Sequence, residues 1–372
     1  MSPIKVYLGV LLTSLAAVAV LNAETDVGGL GAGSFSYQLA RLQTSHQLIV
    51  SEKAIDMRSW LKARLAAPNP TPQLLVLGSS TVGQLDSEQF SPLRFLNGYL
   101  SEPMPEDLEA ITTLLEAREA RPTVIVLGID HWFFNSAVNN DRWTTLLAEQ
   151  AAFERTGTTF APLRRLKLAW QRGKERLSFE ATRESAAYWL HRSDATGPVE
   201  ARLTSDLAGA CANANATTPL WVRHFDGHYV LCSSQVPSNE EVLSLARTYV
   251  TRNFHQVRTW GSVDSQRFGR LARVLQVWRQ LGIQVVLVAP PYHPAAYAEL
   301  LSADHIRENF QQMDRRLTEL SAQVGAIYLN ARNPSVPGCV ATEFTDSHHS
   351  GPSCARKVAR LISARLQVRT DP

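Results

Sequence analysis

Between residues 73 and 366, short apolar runs alternate with longer stretches of helical periodicity, and this alternation constrains the fold more than any other feature of the chain. Residues 74–77 read Leu-Leu-Val-Leu and end at Gly78. Residues 123–127 read Thr-Val-Ile-Val-Leu and end at Gly128. Residues 284–289 read Gln-Val-Val-Leu-Val-Ala and run into Pro290 and Pro291. Runs of this length without polar alternation suit strands buried on both faces of a parallel sheet. Residues 94–97 form a weaker strand and 326–329 a last one. Between these runs, residues 105–119, 267–281, 303–324 and 355–366 repeat apolar positions every three or four residues, as in Leu108, Ile111, Leu114 and Leu115, which is the spacing of helices that bury one face. Strands separated by helices predict an α/β three-layer sandwich with a central, mostly parallel sheet and right-handed crossovers. Ligands of such sheets sit beyond the carboxyl ends of the strands. That rule singles out Gly78-Ser79-Ser80, Asn97-Gly98, Gly128-Ile129-Asp130 and Ala289-Pro290-Pro291.

The 372 residues allow one large domain with an insertion. Residues 73–372 carry the alternation, which is interrupted at about 138–240 by helical pieces and Ser/Thr/Asn-rich loops, read as an inserted cap. Residues 24–72 read as a spacer and an N-terminal helix. The helical spacing lies at 46–66, in Leu48, Ile49, Ile55, Trp60, Leu61 and Leu65, before Pro68, Pro70 and Pro72 break it. At the N-terminus, Lys5 precedes an apolar run over residues 6–21, and Ala23 and Glu24 follow. A positive start, a short apolar core and a small residue before polar chain describe a secretory signal over residues 1–23. A retained N-terminal anchor that associates with a membrane is the alternative, although a span takes about 20 residues. Either way the rest of the chain is expected outside the cytoplasm. The cysteines agree, because four of them, at 211, 232, 339 and 354, permit two disulfides in an oxidising compartment. The local pairs Cys211–Cys232 and Cys339–Cys354 are expected, since each lies within one loop-like segment. With no CxxC spacing and no phosphate loop, neither structural zinc nor any other cofactor is expected. The formal net charge of +3, from 37 basic and 34 acidic residues, argues against nucleic acid as a partner.

Two short segments carry chemistry. In Gly78-Ser79-Ser80-Thr81, a serine at a strand-to-helix junction presents its hydroxyl at the mouth of the sheet, where backbone amides can hold an oxyanion. Helix capping is the plainer use of such a serine. In Phe344-Thr345-Asp346-Ser347-His348-His349, a carboxylate three residues from an imidazole can hold one ring N–H and leave the other nitrogen to take a proton. Cys339 and Cys354 flank this loop and could staple it. Asp346, His348 and His349 could instead bind a metal. His349 is favoured over His348 as the base from its spacing to Asp346.

Taken together, these segments resemble the SGNH/GDSL hydrolases. That family opens with Gly-Asp-Ser after its first strand, where this chain has Gly78-Ser79-Ser80, which puts Ser80 at the nucleophile position. Its second block supplies an oxyanion-binding glycine amide, matched by Gly98. Its third block is Gly-x-Asn-Asp, matched by Gly128-Ile129-Asp130-His131. Its last is Asp-x-x-His before the final helix, matched by Asp346 and His349. The resemblance covers residues 73–135 and 283–366. It implies a flavodoxin-like α/β sandwich and a catalytic set of Ser80, Asp346 and His349, with the oxyanion bound by Ser80, Gly98 and the Asp130 position. Asp130 replaces the family's asparagine, and an ionised carboxylate there would repel an oxyanion unless its pKa were strongly raised. Asn135 or a backbone amide could serve instead. The Gly-Ser-Ser form is similar to membrane-anchored SGNH-like proteins of bacterial envelopes, some of which move acyl groups onto exported polysaccharides. The resemblance therefore implies an esterase or O-acyltransferase acting on an acyl-bearing or polysaccharide substrate. The alternative is an inactive relative that binds or assembles with other envelope proteins.

Overall fold

The computed structural model describes residues 3–25, 35–43, 45, 47–51, 55–67, 70–156, 182, 201–212 and 220–367. Its centre is a five-stranded sheet in which every neighbouring pair is parallel: β2 (Leu74–Leu77), β3 (Phe95–Asn97), β4 (Val124–Gly128), β8 (Gln284–Ala289) and β9 (Ile327–Asn330), in the spatial order β3-β2-β4-β8-β9. Counted along the chain, these five strands lie in the order second, first, third, fourth, fifth. That is the flavodoxin-like arrangement, whose switch point falls where the first and third strands, β2 and β4, lie side by side. Leu74, Leu75, Val76 and Leu77 are each 0% exposed, as are Val286, Leu287 and Val288, which is why no polar residue interrupts these runs. Each such side chain contributes on the order of 1.5–3 kcal/mol by leaving water. Helices Pro105–Glu116, Ser265–Gln280, Asp304–Val324 and Pro352–Gln367 supply the outer layers. Their apolar faces, including Leu108, Ile111, Leu271, Leu275, Met313, Leu317 and Ile362, join the main core.

The segment before this unit departs from expectation. Residues 46–66 do not form one helix. Leu48–Ser51 is a strand, β1, and the helix is confined to Met57–Ala66, where the Asp56 carboxylate caps the amides of Arg58 and Ser59. The apolar run Leu48-Ile49-Val50 satisfies a strand as readily as a helix. Partners on both sides decide the matter. β1 pairs antiparallel with β5 (Ala201–Thr204) and with β6 (Trp221–Arg223), and β6 pairs with β7 (Tyr229–Val230). The result is a second sheet, β5-β1-β6-β7, made from the insertion and from a segment that precedes the domain. Residues 24–72 are thus more than a spacer, since Trp60 and Leu61 of the following helix are buried in the main core.

Cys211–Cys232 and Cys339–Cys354 are disulfide-bonded, in the local connectivity expected, and no described cysteine is free. Such bonds belong to oxidising compartments. Pro3–Thr25 is helical, with Val6, Tyr7, Val10, Leu12 and Leu15 exposed. Among the described residues, no helix is long and apolar enough to cross a membrane. The Gly-rich residues 28–33 lie outside the described residues.

Candidate active site

The site is built at the switch point. Strand β2 ends at Gly78, whose φ of +130° suits glycine alone and whose Cα faces Gly128 so closely that a Cβ would stand 2.9 Å from that residue's backbone. This close approach turns the chain into the short 3₁₀ turn Ser80–Val82. Ser79 caps the turn, its Oγ accepting from the Thr81 amide at 3.2 Å. The cap thereby falls to Ser79, and Ser80 is left to point outward.

Ser80 Oγ lies 2.7 Å from His349 Nε2. His349 Nδ1 lies 2.6 Å from Asp346 Oδ2. The other oxygen of Asp346 accepts the amides of His348 and His349, each at 2.8 Å, so the loop folds around the carboxylate that orients its imidazole. The loop is closed by hydrogen bonds from the Thr345 amide to the His349 carbonyl at 2.9 Å and from the His293 amide to the Ser347 carbonyl at 3.0 Å. The Cys339–Cys354 bond clasps its base. Burial opposes charge on both partners and is outweighed. It would raise the Asp346 carboxyl, yet His349, His348 and the amide hydrogen bonds hold it well below the usual carboxylate range. Burial would lower the His349 imidazole, yet Asp346 holds it above its ordinary value. The His349 and Asp346 side chains keep 21% and 29% of their surface exposed, so the pair stays open to solvent and ligand.

The expected oxyanion donors fare differently. The Ser80 amide, first of its turn, has no acceptor among the described residues and remains available. The Gly98 amide donates to the Val76 carbonyl at 2.8 Å, continuing the β2–β3 ladder, and cannot serve an oxyanion in this arrangement. A glycine is needed there for another reason, since a Cβ would stand 2.8 Å from Leu61 Cδ1. Asp130 does not act as an oxyanion donor either. Its Oδ2 accepts from Ser79 Oγ at 2.6 Å and from Thr81 Oγ1 at 3.2 Å, so it grips the turn that carries Ser80. Burial raises its pKa to about 6 against the hydrogen bonds from Ser79 and Thr81, which lower it. Asn135 is also engaged, its Nδ2 donating to the Gln256 carbonyl at 3.0 Å.

Behind His349 lies an aromatic and imidazole cluster whose extent the sequence does not reveal. His348 packs 4.1 Å from His349, ring centre to ring centre, and 6.1 Å from Trp132. His131, fully buried, bonds Tyr292 Oη through Nδ1 at 2.9 Å, and burial holds its imidazole well below the ordinary value. Trp132, Phe133 and Phe134 are at most 1% exposed, so this segment is core rather than pocket floor. The inserted sheet reaches the site through Tyr229. The ring lies against Gly83, where a Cβ would meet it at 2.5 Å, and its amide donates to the Gly83 carbonyl at 3.1 Å. The Thr81-Val82-Gly83 after Ser80 is the only trace of this contact in the sequence.

Among the described residues, two sets of side chains have the donors for a metal ion: Asp346, His348 and His349, and separately His224, Asp226 and His228 on the β6–β7 turn. In the first set, His349 Nε2 and Asp346 Oδ2 are already committed to Ser80 and to one another. No family model matches the chain and no curated protein matches it, so a functional reading stands on the Ser80–His349–Asp346 geometry itself.

Proposed function

We infer that this protein is an exported serine-dependent enzyme of acyl transfer or ester hydrolysis, acting on an acyl-bearing substrate that includes exported polysaccharide. The observation that carries the reading is the unbroken hydrogen-bonded series from Asp346 through His349 to Ser80, at 2.6 and 2.7 Å. In the proposed reaction, His349 Nε2 takes the Ser80 proton while Ser80 Oγ bonds to the acyl carbon. The leaving alkoxide takes that proton from His349 as the ester bond breaks. Water or an acceptor hydroxyl then bonds to the acyl carbon, giving its proton to His349, and as the acyl–Oγ bond breaks His349 returns that proton to Ser80 Oγ. Asp346 keeps the imidazole in the required tautomer throughout. The two disulfides and the apolar N-terminal segment support export.

One observation favours a second reading, an envelope binding or assembly protein that has lost catalysis. Only the Ser80 amide is free among the three donors expected for the oxyanion. Loss of a single such donor costs other serine enzymes about 10²- to 10³-fold in rate. The enzyme reading therefore calls for a slow catalyst. The two readings separate with p-nitrophenyl acetate and a fluorophosphonate probe. Wild-type protein is expected to hydrolyse the ester and to be labelled at Ser80. Ser80→Ala is expected to lose labelling and about 10⁴-fold or more of its turnover, at least as much as when the orienting carboxylate of a triad is removed. Equal turnover in the two proteins, or folded wild type that stays unlabelled, would leave the binding reading in place.

A further inference from the structure

Four non-glycine residues adopt left-handed backbone among the described residues: Glu102, Asn253, His255 and Gln256, with φ of 46°, 54°, 49° and 55°. Such conformations are disfavoured for residues with a side chain and persist where surrounding contacts over-determine them. Three of the four share one turn. The fourth, Glu102, follows β3 and meets that turn in space, with His255 Nδ1 3.9 Å from Glu102 Oε1. Both stretches are gripped by their backbones. Buried Asn135 donates through Nδ2 to the carbonyls of His255 and Gln256 at 3.4 and 3.0 Å. Asn140 Nδ2 donates to the Glu102 carbonyl at 3.1 Å.

The strain serves to aim one imidazole. The His255 ring stacks on Trp132 at 3.9 Å and stands edge-on to His348 at 5.3 Å, beside the ring of His349. Burial, and after it the charge of His349, lowers its pKa to about 4, so at neutral pH it offers one N–H donor and one acceptor nitrogen. Among the described residues neither ring nitrogen has a hydrogen-bond partner. The His255 and Glu102 side chains keep 18% and 38% of their surface exposed. Glu102 Oε2 also lies 3.9 Å from Arg142 Nε, and neither carboxylate oxygen accepts a hydrogen bond among the described residues. A neutral imidazole and a carboxylate with acceptor capacity to spare, side by side, present donor and acceptor groups in the combination that neighbouring hydroxyls require.

We propose that His255 and Glu102 form an acceptor subsite that holds a polyhydroxylated molecule, such as a sugar residue, with one hydroxyl facing the acylated Ser80. This rests on the acyl-transfer reading and assigns the site to transfer rather than hydrolysis. In the step served, the acceptor oxygen bonds to the acyl carbon and its proton passes to His349 Nε2. The acyl–Oγ bond breaks, and the same proton returns to Ser80 Oγ. The acyl group of the donor ester has then moved without consuming water.

The test is a partition experiment on the full chain, with p-nitrophenyl acetate as donor and methyl glucoside as acceptor. Acetylated glucoside and free acetate are quantified by mass spectrometry. The informative variant is His255→Asn, because asparagine tolerates the left-handed backbone and removes the imidazole. The ratio of transfer to hydrolysis is expected to fall about tenfold, the equivalent of ~1.4 kcal/mol. Glu102→Gln is expected to lower it about threefold, as for a single hydrogen bond to an exposed carboxylate. Fluorophosphonate labelling of Ser80, run in parallel, separates the two levels of argument. Labelled wild type that makes no acetylated glucoside, or an unchanged ratio in both variants, overturns the subsite alone. Unlabelled wild type overturns the acyl-transfer reading and the subsite with it.

Discussion

The two sides of the site are built on different principles. On the sheet side, Ser80 is placed by short-range rules: a glycine that allows the turn, a serine that caps it, and a carboxylate just past the adjacent strand that grips it. On the opposite side, the turn over residues 253–256 holds a backbone that its own residues disfavour, kept there by Asn135 more than a hundred residues away in sequence. The first side could form wherever a parallel sheet forms. The second exists only once distant segments have assembled around it. The Ser80 turn is therefore expected to be the robust half of the site and the imidazole-rich wall the conditional half.

That contrast can be broken in three ways. The largest effect should come from Asp346→Asn, which leaves the loop geometry nearly intact but favours the wrong tautomer of His349. Ester turnover is expected to fall by about 10³- to 10⁴-fold. The pH profile should change with it. In wild type, kcat/KM should rise with pH through an inflection above the ordinary imidazole value of 6.5, because Asp346 raises His349 and only the neutral ring accepts the serine proton. Without that carboxylate the inflection should move down. Profiles of kcat/KM for the two proteins check both points, and an inflection that stays in place would detach Asp346 from His349.

Next is Gly78→Ala, aimed at the sheet side. It forces a Cβ into left-handed backbone against Gly128, and should cost about 3 kcal/mol or more, read as a lower denaturant midpoint. A midpoint close to wild type would show that the Ser80 turn is not dictated by this contact. The smallest effect concerns the opposite wall in acid. Burial holds His131, His255 and His348 below 6.5, so the unfolded chain takes up protons first as pH falls. Their share of stability is complete above 6.5 and is lost as pH drops below it, down to about 4 for His255. His349 acts in the opposite sense, stabilising below 6.5 and losing that share as pH rises through its raised value. His224 and His293, also lowered by burial, act with the first three, while Asp130, raised by burial to about 6, acts with His349. With five groups against two, the melting temperature should drop by roughly 5 °C between pH 7.5 and 5. His255→Asn should shrink that drop, and an equal drop in the variant would mean His255 is not held neutral by the fold.

How much of this could be read in advance follows the same division. The strands at 74–77, 124–128 and 284–289 were legible because burial on both faces leaves an unbroken apolar run, and their carboxyl ends located Ser80 and Asp130. Asp346 and His349 were legible because their contact is local, three residues apart. The oxyanion donors were not, since a hydrogen bond from the Gly98 amide to Val76 is a property of strand pairing that a glycine codon does not announce. Nor was β1, because Leu48-Ile49-Val50 fits two periods and only strands from the insertion choose between them. His255 leaves almost no trace, since Asn253 alone hints at a left-handed turn and nothing in the sequence gives the direction of the imidazole.

The position of β1 has a consequence for how the molecule comes to exist. Its neighbours on both sides belong to the insertion: Leu48 aligns with Thr204 and Ile49 with Arg223. As the chain is synthesised, β1 emerges with two unsatisfied edges and waits for more than 150 further residues before either is covered. Excising the insertion to simplify the protein would leave that strand bare for good, inviting pairing with other copies of itself.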